Sequence, residues 1–358
     1  MALVRKLLRR LRKNWRKVVH WVIVGAALGY LVYLVPGLAK QVDEATRPLD
    51  HLHWWWVVAA VVSGLLALAL YGELHRQLLL VGGARVPART VQGINFAENA
   101  ISNTVPVVGG AGALAYAIDQ LRRRGVDAPL ASWSVLLAGV LATLTLVVLG
   151  AAGLGVGGRL PLWLGLALAG LVGLGSVGAW KVLTHPAALR RGMRPVVWVG
   201  RRLPGGCGDC RQAWAEHAEK VVARVADRIA LLRPSLPRWL LAIFLAALTW
   251  VFDFSTLAFS VAAVGSSAPW NVLWVGFLLV QGSIALQILP GGLGLAATSL
   301  LAVLLSAGIA DPSATASVLI YRSISWLGLS LLGWVIYGTW IHAAPTRLHR
   351  HAVELSRA

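Results

Sequence analysis

Long apolar runs constrain this chain more than any other feature. A helix crosses the roughly 30 Å hydrocarbon layer in about 20 residues and pairs all of its backbone polar groups internally, as a segment without water must. Six stretches meet that requirement, near 18–37, 54–74, 130–154, 161–183, 239–264 and 315–341. Two more, about 88–121 and 270–308, are apolar but interrupted, by Pro106 with Gly109, Gly110 and Gly112 and by Pro290 with Gly291, Gly292 and Gly294. Their second arms of about 12 to 14 residues rise only about 18 to 21 Å, too little to cross. Each is expected to be a re-entrant helical hairpin. The expected fold is an all-α polytopic membrane protein with about six full transmembrane helices and two such hairpins. Composition agrees: 58% of residues are hydrophobic, 13% are charged and the mean hydropathy is +0.71, which excludes an ordinary soluble domain.

Charge sets the orientation. The net charge is +19, yet the basic residues lie between apolar spans rather than on one folded face, so topology explains them and no nucleic-acid partner is expected. With the N-terminus inside, 29 of the 33 Lys and Arg fall on the cytoplasmic side, Lys40, Arg47 and Arg159 fall outside, and Arg322 lies within a span. The protein is therefore expected in the inner membrane with both termini cytoplasmic. Residues 1–17 hold eight Lys or Arg between Arg5 and Lys17, with Val4, Leu7, Leu8, Leu11 and Trp15 at helical spacing, as in an amphipathic helix on an anionic leaflet. The first membrane half is 18–183. The run Val18 to Val35 is too long for a signal-peptide core and is kept as a span.

Residues 184–238 form a basic cytoplasmic loop, in which Trp214, Ala218, Val221, Val225, Ile229 and Leu232 make one stripe of a surface helix. The second membrane half is 239–341 and the cytoplasmic tail 342–358. Trp54, Trp55 and Trp56 suit a membrane–water boundary. Cys207 and Cys210 stand alone, without the further ligands that close a zinc site, and read as an incidental reduced pair.

The interrupted stretches belong to an internal repeat. Gly109, Gly110 and Gly112 recur at Gly291, Gly292 and Gly294 with an offset of 182; Gly125, Pro129 and Gly150 recur at Gly308, Pro312 and Gly333 with an offset of 183. Three full crossings lie between the copies, and an odd number inverts the second copy, so the hairpins are expected to enter from opposite faces.

Chemistry is expected at two features. Each second arm starts a helix whose first N–H groups lack intrahelical partners, and glycine there lets a phosphate approach the backbone; packing of short helices is the competing role. Ionisable residues at membrane depth are costly and commonly functional. Arg322 is suited to grip a phosphate, with Asp253 as counter-ion, or else the two form a structural ion pair. Asn95, Glu98, Asn99 and Asn103 share one helix face and serve headgroup binding or interhelical hydrogen bonding. Gln281 and Gln287 are assigned to packing, and Asp119 to a solvated helix end. No enzyme or cofactor signature is present: there is no nucleotide loop, no metal-ligand spacing and no nucleophile elbow.

The hairpin ISNTVPVVGGAGALAYAIDQLRRRGVD, with QILPGGLGLAATSLL and VLIYRSISW, resembles the transmembrane flippase region of lysylphosphatidylglycerol synthases and their stand-alone membrane relatives, over about 18–341. The resemblance implies movement of aminoacylated phosphatidylglycerol or polyprenyl-phosphate-linked sugars between leaflets. It marks Gly109, Gly110, Gly112, Pro290, Gly291, Gly292, Gly294 and Arg322 as functional positions. The chain ends at Ala358 without a soluble acyltransferase-like domain, so lysyl-lipid synthesis is not expected of it. The expected partners are the membrane, an anionic lipid or lipid-linked substrate, and a lipid-modifying enzyme. A secondary transporter of a small anion or solute, with Asp253 or Glu98 carrying a proton, and a membrane anchor or partner of a lipid-linked glycosyltransferase are the alternatives.

Overall fold

The computed structural model describes residues 52–105, 109–158, 235–285, 290–292 and 294–341, with a few further positions between 161 and 174. The N-terminal amphipathic helix, the 18–37 span, most of the 161–183 span, nearly all of 184–238 with Cys207 and Cys210, Pro106, Gln287 and the tail lie outside the described residues.

All regular structure among the described residues is helical. In chain order it comprises α1 (Trp54–Val81), α2 (Ala88–Thr104), α3 (Gly109–Arg122), α4 (Ala128–Val156), α5 (Leu236–Ala263), α6 (Trp270–Ala285), a 3₁₀ turn Pro290–Gly292, α7 (Leu295–Ser306) and α8 (Asp311–Thr339). Four of these, α1, α4, α5 and α8, have 28 or 29 residues and are apolar enough to cross a bilayer. The span expected at 54–74 continues to Val81, where Gly82 and the left-handed Gly83 end the helix, and within it Glu73 pairs with Arg76 at 2.6 Å. The last span starts at Asp311, ahead of the expected 315.

Each half therefore runs long helix, two short helices, long helix. The short stretches break where the sequence cannot propagate a helix. The α3 and α7 ends carry left-handed glycines, Gly125 (φ +86) and Gly308 (φ +82), after which Val126 N–H returns to Leu121 O at 3.2 Å and Ile309 N–H to Leu304 O at 3.3 Å. This is the six-to-one bond of a Schellman stop. Prolines at Pro129 and Pro312 then restart the chain in the first turn of α4 and α8. The repeat also includes Gly83 and Gly265, both with positive φ and both four residues before a proline, Pro87 and Pro269.

Packing relates the halves by exchange. Helices α1 and α5 lie together antiparallel: His53 N–H reaches Ala263 O at 2.9 Å, Trp56 stacks on Phe259 at 5.4 Å, and a Cβ on Gly64 would meet Thr256 Oγ1 at 3.6 Å. Gly150 of α4 takes Leu278 of α6 at 3.2 Å, and its repeat partner Gly333 of α8 takes the backbone of Phe96 in α2, 182 residues before Leu278. The first arm of each hairpin thus rests on the last helix of the other half. Asn271 Nδ2 donates to Gly157 O at 2.9 Å, so α6 starts where α4 ends. Gly82 packs on Leu130, so α2 starts where α4 begins. The bundle end that receives α6 carries exposed Trp54, Trp55, Trp56 and Trp270, whereas the other end carries Arg85, Arg89 and Arg122 to Arg124.

The core is two clusters, one around Leu79, Ile94, Leu121 and Leu130, the other around Leu257, Phe277, Leu300 and Tyr321. Small and hydroxyl residues such as Ser63, Thr256 and Ser260 are buried between helices while Leu240, Phe244 and Val251 face outward. That inside-out distribution fits a lipid surround.

Candidate functional site: a buried arginine at a glycine turn

Arg322 is 6% exposed, on α8, immediately before a π-helical stretch Ser323–Gly328. A π turn widens a helix and is frequent at functional sites. The guanidinium donates through Nη2 to Gly291 O, and its Cζ lies 5.8 Å from the Trp326 ring centroid. A charge-assisted hydrogen bond and a cation–π contact together anchor a charge that would be costly alone.

The turn that supplies the carbonyl is made by Gly291, Gly292 and Gly294 with φ of +56, +67 and +79, following Pro290. A Cβ on Gly291 would fall inside the Trp326 indole, so both its backbone conformation and its space require glycine. Trp326 in turn donates Nε1–H to Asn103 O at 3.1 Å, and Trp334 donates to Thr104 Oγ1 at 3.1 Å. The second hairpin's turn, Arg322 and the Asn103 end of α2 therefore form one contiguous cluster, drawn from three elements and both halves.

Asp253 is not the direct counter-ion of Arg322. The ion pairs among the described residues are Arg76 with Glu73 and Arg123 with Asp119, and Asp253 instead accepts a hydrogen bond from Gln281 Nε2 at 2.7 Å. Gln281, expected only to pack, is the group that satisfies the aspartate. Asp253 still lies within electrostatic reach of Arg322. The guanidinium is thus held by a carbonyl and a ring, neither of which neutralises it.

The polar face of α2 divides. Asn95 is 1% exposed and donates to Leu68 O at 2.7 Å, an interhelical bond to α1. Asn103 Nδ2 donates to Asn99 Oδ1 at 2.9 Å. Glu98 Oε2, Asn99 Nδ2 and Tyr116 Oη are buried without a hydrogen-bond partner among the described residues.

The two glycine motifs also differ. Gly109 is buried and a Cβ there would meet Ser102 O at 2.6 Å, so it brings the two arms of the first hairpin together; Gly110 is half-buried and Gly112 exposed. None of the three has positive φ, and α3 starts at Gly109 itself. The expected equivalence fails because one motif is the first turn of a helix and the other is a left-handed turn that delays α7 to Leu295. Sequence reasoning missed Trp326, although its spacing of four from Arg322 places both on one helix face. Nothing in the spacing signals Gln281, which meets Asp253 from another helix.

Apolar helices around a buried guanidinium and a broken hairpin define the chain as a polytopic membrane protein with a charged site within the bundle. The family model for the lysylphosphatidylglycerol synthase TM region matches residues 18–333, and the chain belongs to that family. No curated protein matches it in sequence.

Proposed function

We propose that this protein translocates lipids with an anionic headgroup, a phospholipid or a polyprenyl-phosphate-linked lipid, between the leaflets of the inner membrane, and that it performs no covalent reaction. Family membership supports a membrane lipid-related role. The observation that carries the reading is Arg322, buried at the glycine turn and bonded to a neutral carbonyl instead of a carboxylate.

A guanidinium has five N–H donors, and the Gly291 carbonyl satisfies one orientation of one nitrogen. A phosphate offers charged, fork-matching acceptors that outcompete a carbonyl. Its arrival takes Arg322 off Gly291 and frees a turn built from three left-handed glycines, so binding and movement of the hairpin are linked in one event.

The two halves are read as inverted repeats. Antiparallel α1 and α5, the exchange of hairpin arms, and the start of α2 at the basic end and α6 at the aromatic end support this. The excess of basic residues supports a cytoplasmic α2 start and cytoplasmic termini.

The test follows labelled lipid between leaflets of reconstituted vesicles, with aminoacyl-phosphatidylglycerol and a polyprenyl-phosphate sugar as separate substrates. Wild type moves at least one, Arg322→Gln loses movement at normal expression, and Arg322→Lys keeps part of it. Failure of wild type with both lipids, or full activity of Arg322→Gln, overturns the proposal.

A further inference from the structure

The strongest unassigned feature is Glu98. It is 8% exposed, near the middle of α2, and its Oε2 has no partner among the described residues. The repeat puts no cation at the equivalent of Arg322 in its half. Arg322 corresponds to Gly139 at the offset of 183, while Asp253 and Gln281 correspond to Tyr71 and Asn99 at the offset of 182. A Cβ on Gly139 would meet Tyr71 Oη at 3.9 Å, so the place of the arginine in the second half is taken by a phenol in the first.

The elements packed on α2 present few titratable groups to Glu98. From α1, Tyr71 lies within electrostatic reach of Glu98, whereas Glu73 is paired with Arg76 and His75 turns to Ser134. From α3, Tyr116 lies within reach, whereas Asp119 is paired with Arg123 and Arg124 with Gln120. Tyr337, at the end of α8, stacks against Tyr116 at 5.3 Å, and Arg322 is turned to Gly291. The 290–292 turn brings no ionisable side chain. A buried carboxylate that no cation faces among the described residues is stabilised in a bilayer by taking one up.

A proton meets that need with a single acceptor. A metal ion does not fit as well. It needs a shell of oxygens, and Asn99 Oδ1 is already occupied by Asn103 while Asn99 presents an unpartnered N–H donor. Tyr116 suits a route: on α3, which packs on α2, its hydroxyl is buried without a partner among the described residues, one turn before Asp119, which is half exposed at the basic end.

We infer that Glu98 is a proton-binding group, reached through Tyr116 from the basic end of the bundle, and that its protonation is coupled to passage of the headgroup. The coupling rests on the translocation reading; the proton site does not.

Two measurements separate the two. Infrared difference spectra of the purified protein between acid and alkaline pH should show the carbonyl stretch of a carboxylic acid that titrates. Carbon-13 labelling of glutamate should shift it, Glu98→Gln should lose it and Glu98→Asp should move it. A wild-type spectrum with no labelled band, or a band unchanged in Glu98→Gln, overturns the proton site. Thermal protection by sodium that Glu98→Gln loses also overturns it, in favour of a metal cation.

Should Glu98→Gln fail to fold, the labelled wild type together with Glu98→Asp still decides. In lipid-moving vesicles, an imposed pH gradient should change the wild-type rate and leave Glu98→Gln unaffected, and Tyr116→Phe should slow the response. An equal wild-type rate with and without the gradient overturns the coupling. Absence of any lipid movement refutes the translocation reading and the coupling while the infrared band reports on Glu98 independently.

Discussion

Replacing Gly291 by alanine tests the centre of the site with one methyl group. The backbone there is left-handed at φ +56, and adding a Cβ to such a residue costs about 1–2 kcal/mol. The same Cβ would fall inside the Trp326 indole, and overpacking of that kind costs roughly 1–3 kcal/mol. The sum is about 2–5 kcal/mol. Gly308→Ala supplies the control, because φ there is +82 and nothing lies within 4 Å, leaving only the backbone cost. The two variants should differ by about 1–3 kcal/mol, a factor of roughly 5 to 150 in the unfolding equilibrium. Denaturant unfolding in micelles reads the difference. Removing the obstacle should abolish it: with Trp326→Leu already present, Gly291→Ala should cost no more than Gly308→Ala does. Equal destabilisation of Gly291→Ala and Gly308→Ala in the wild-type background would refute the packing of the turn on Trp326.

Gly333→Ala should destabilise more than Gly150→Ala, although the two correspond in the repeat, because one methyl meets the Phe96 backbone and the other a pliable Leu278 side chain at 3.2 Å. Melting temperatures in one detergent compare them directly. Gln281→Leu should cost about 1–3 kcal/mol by leaving the Asp253 carboxylate unsatisfied, whereas Asp253→Asn, which can still accept the bond, should cost less; unfolding curves of the two single variants decide. In the leaflet assay, Arg322→Lys should retain more activity than Arg322→Gln, since charge survives and only the fork geometry is lost.

Much of the architecture was legible in local pattern. Length and hydropathy located α1, α4, α5 and α8, and Pro and Gly located both hairpin breaks, because a bilayer requires backbone pairing within each segment and so leaves its mark on contiguous sequence. The matched Gly150 and Gly333 were visible as a repeat, and the fold shows each as a seat for the other half's hairpin. Arg322 stood out because a lone charge among apolar residues is conspicuous whatever surrounds it.

Partners of those charges were not legible, since they come from elsewhere in the chain. Two opposite charges at membrane depth suggested an Asp253–Arg322 pair; instead a glutamine 28 residues from Asp253 and a carbonyl 31 residues from Arg322 divide them. Two motifs of the same letters, at 109–112 and 291–294, became a helix start and a left-handed turn, because what packs over a glycine decides which of its allowed conformations persists. Among the described residues, sequence alone thus determined which segments are long and apolar enough to cross a membrane and where the shorter ones break, both properties of single segments. Tertiary structure decided which buried groups meet, because hydrogen bonding and close packing between helices depend on positions that chain spacing does not encode.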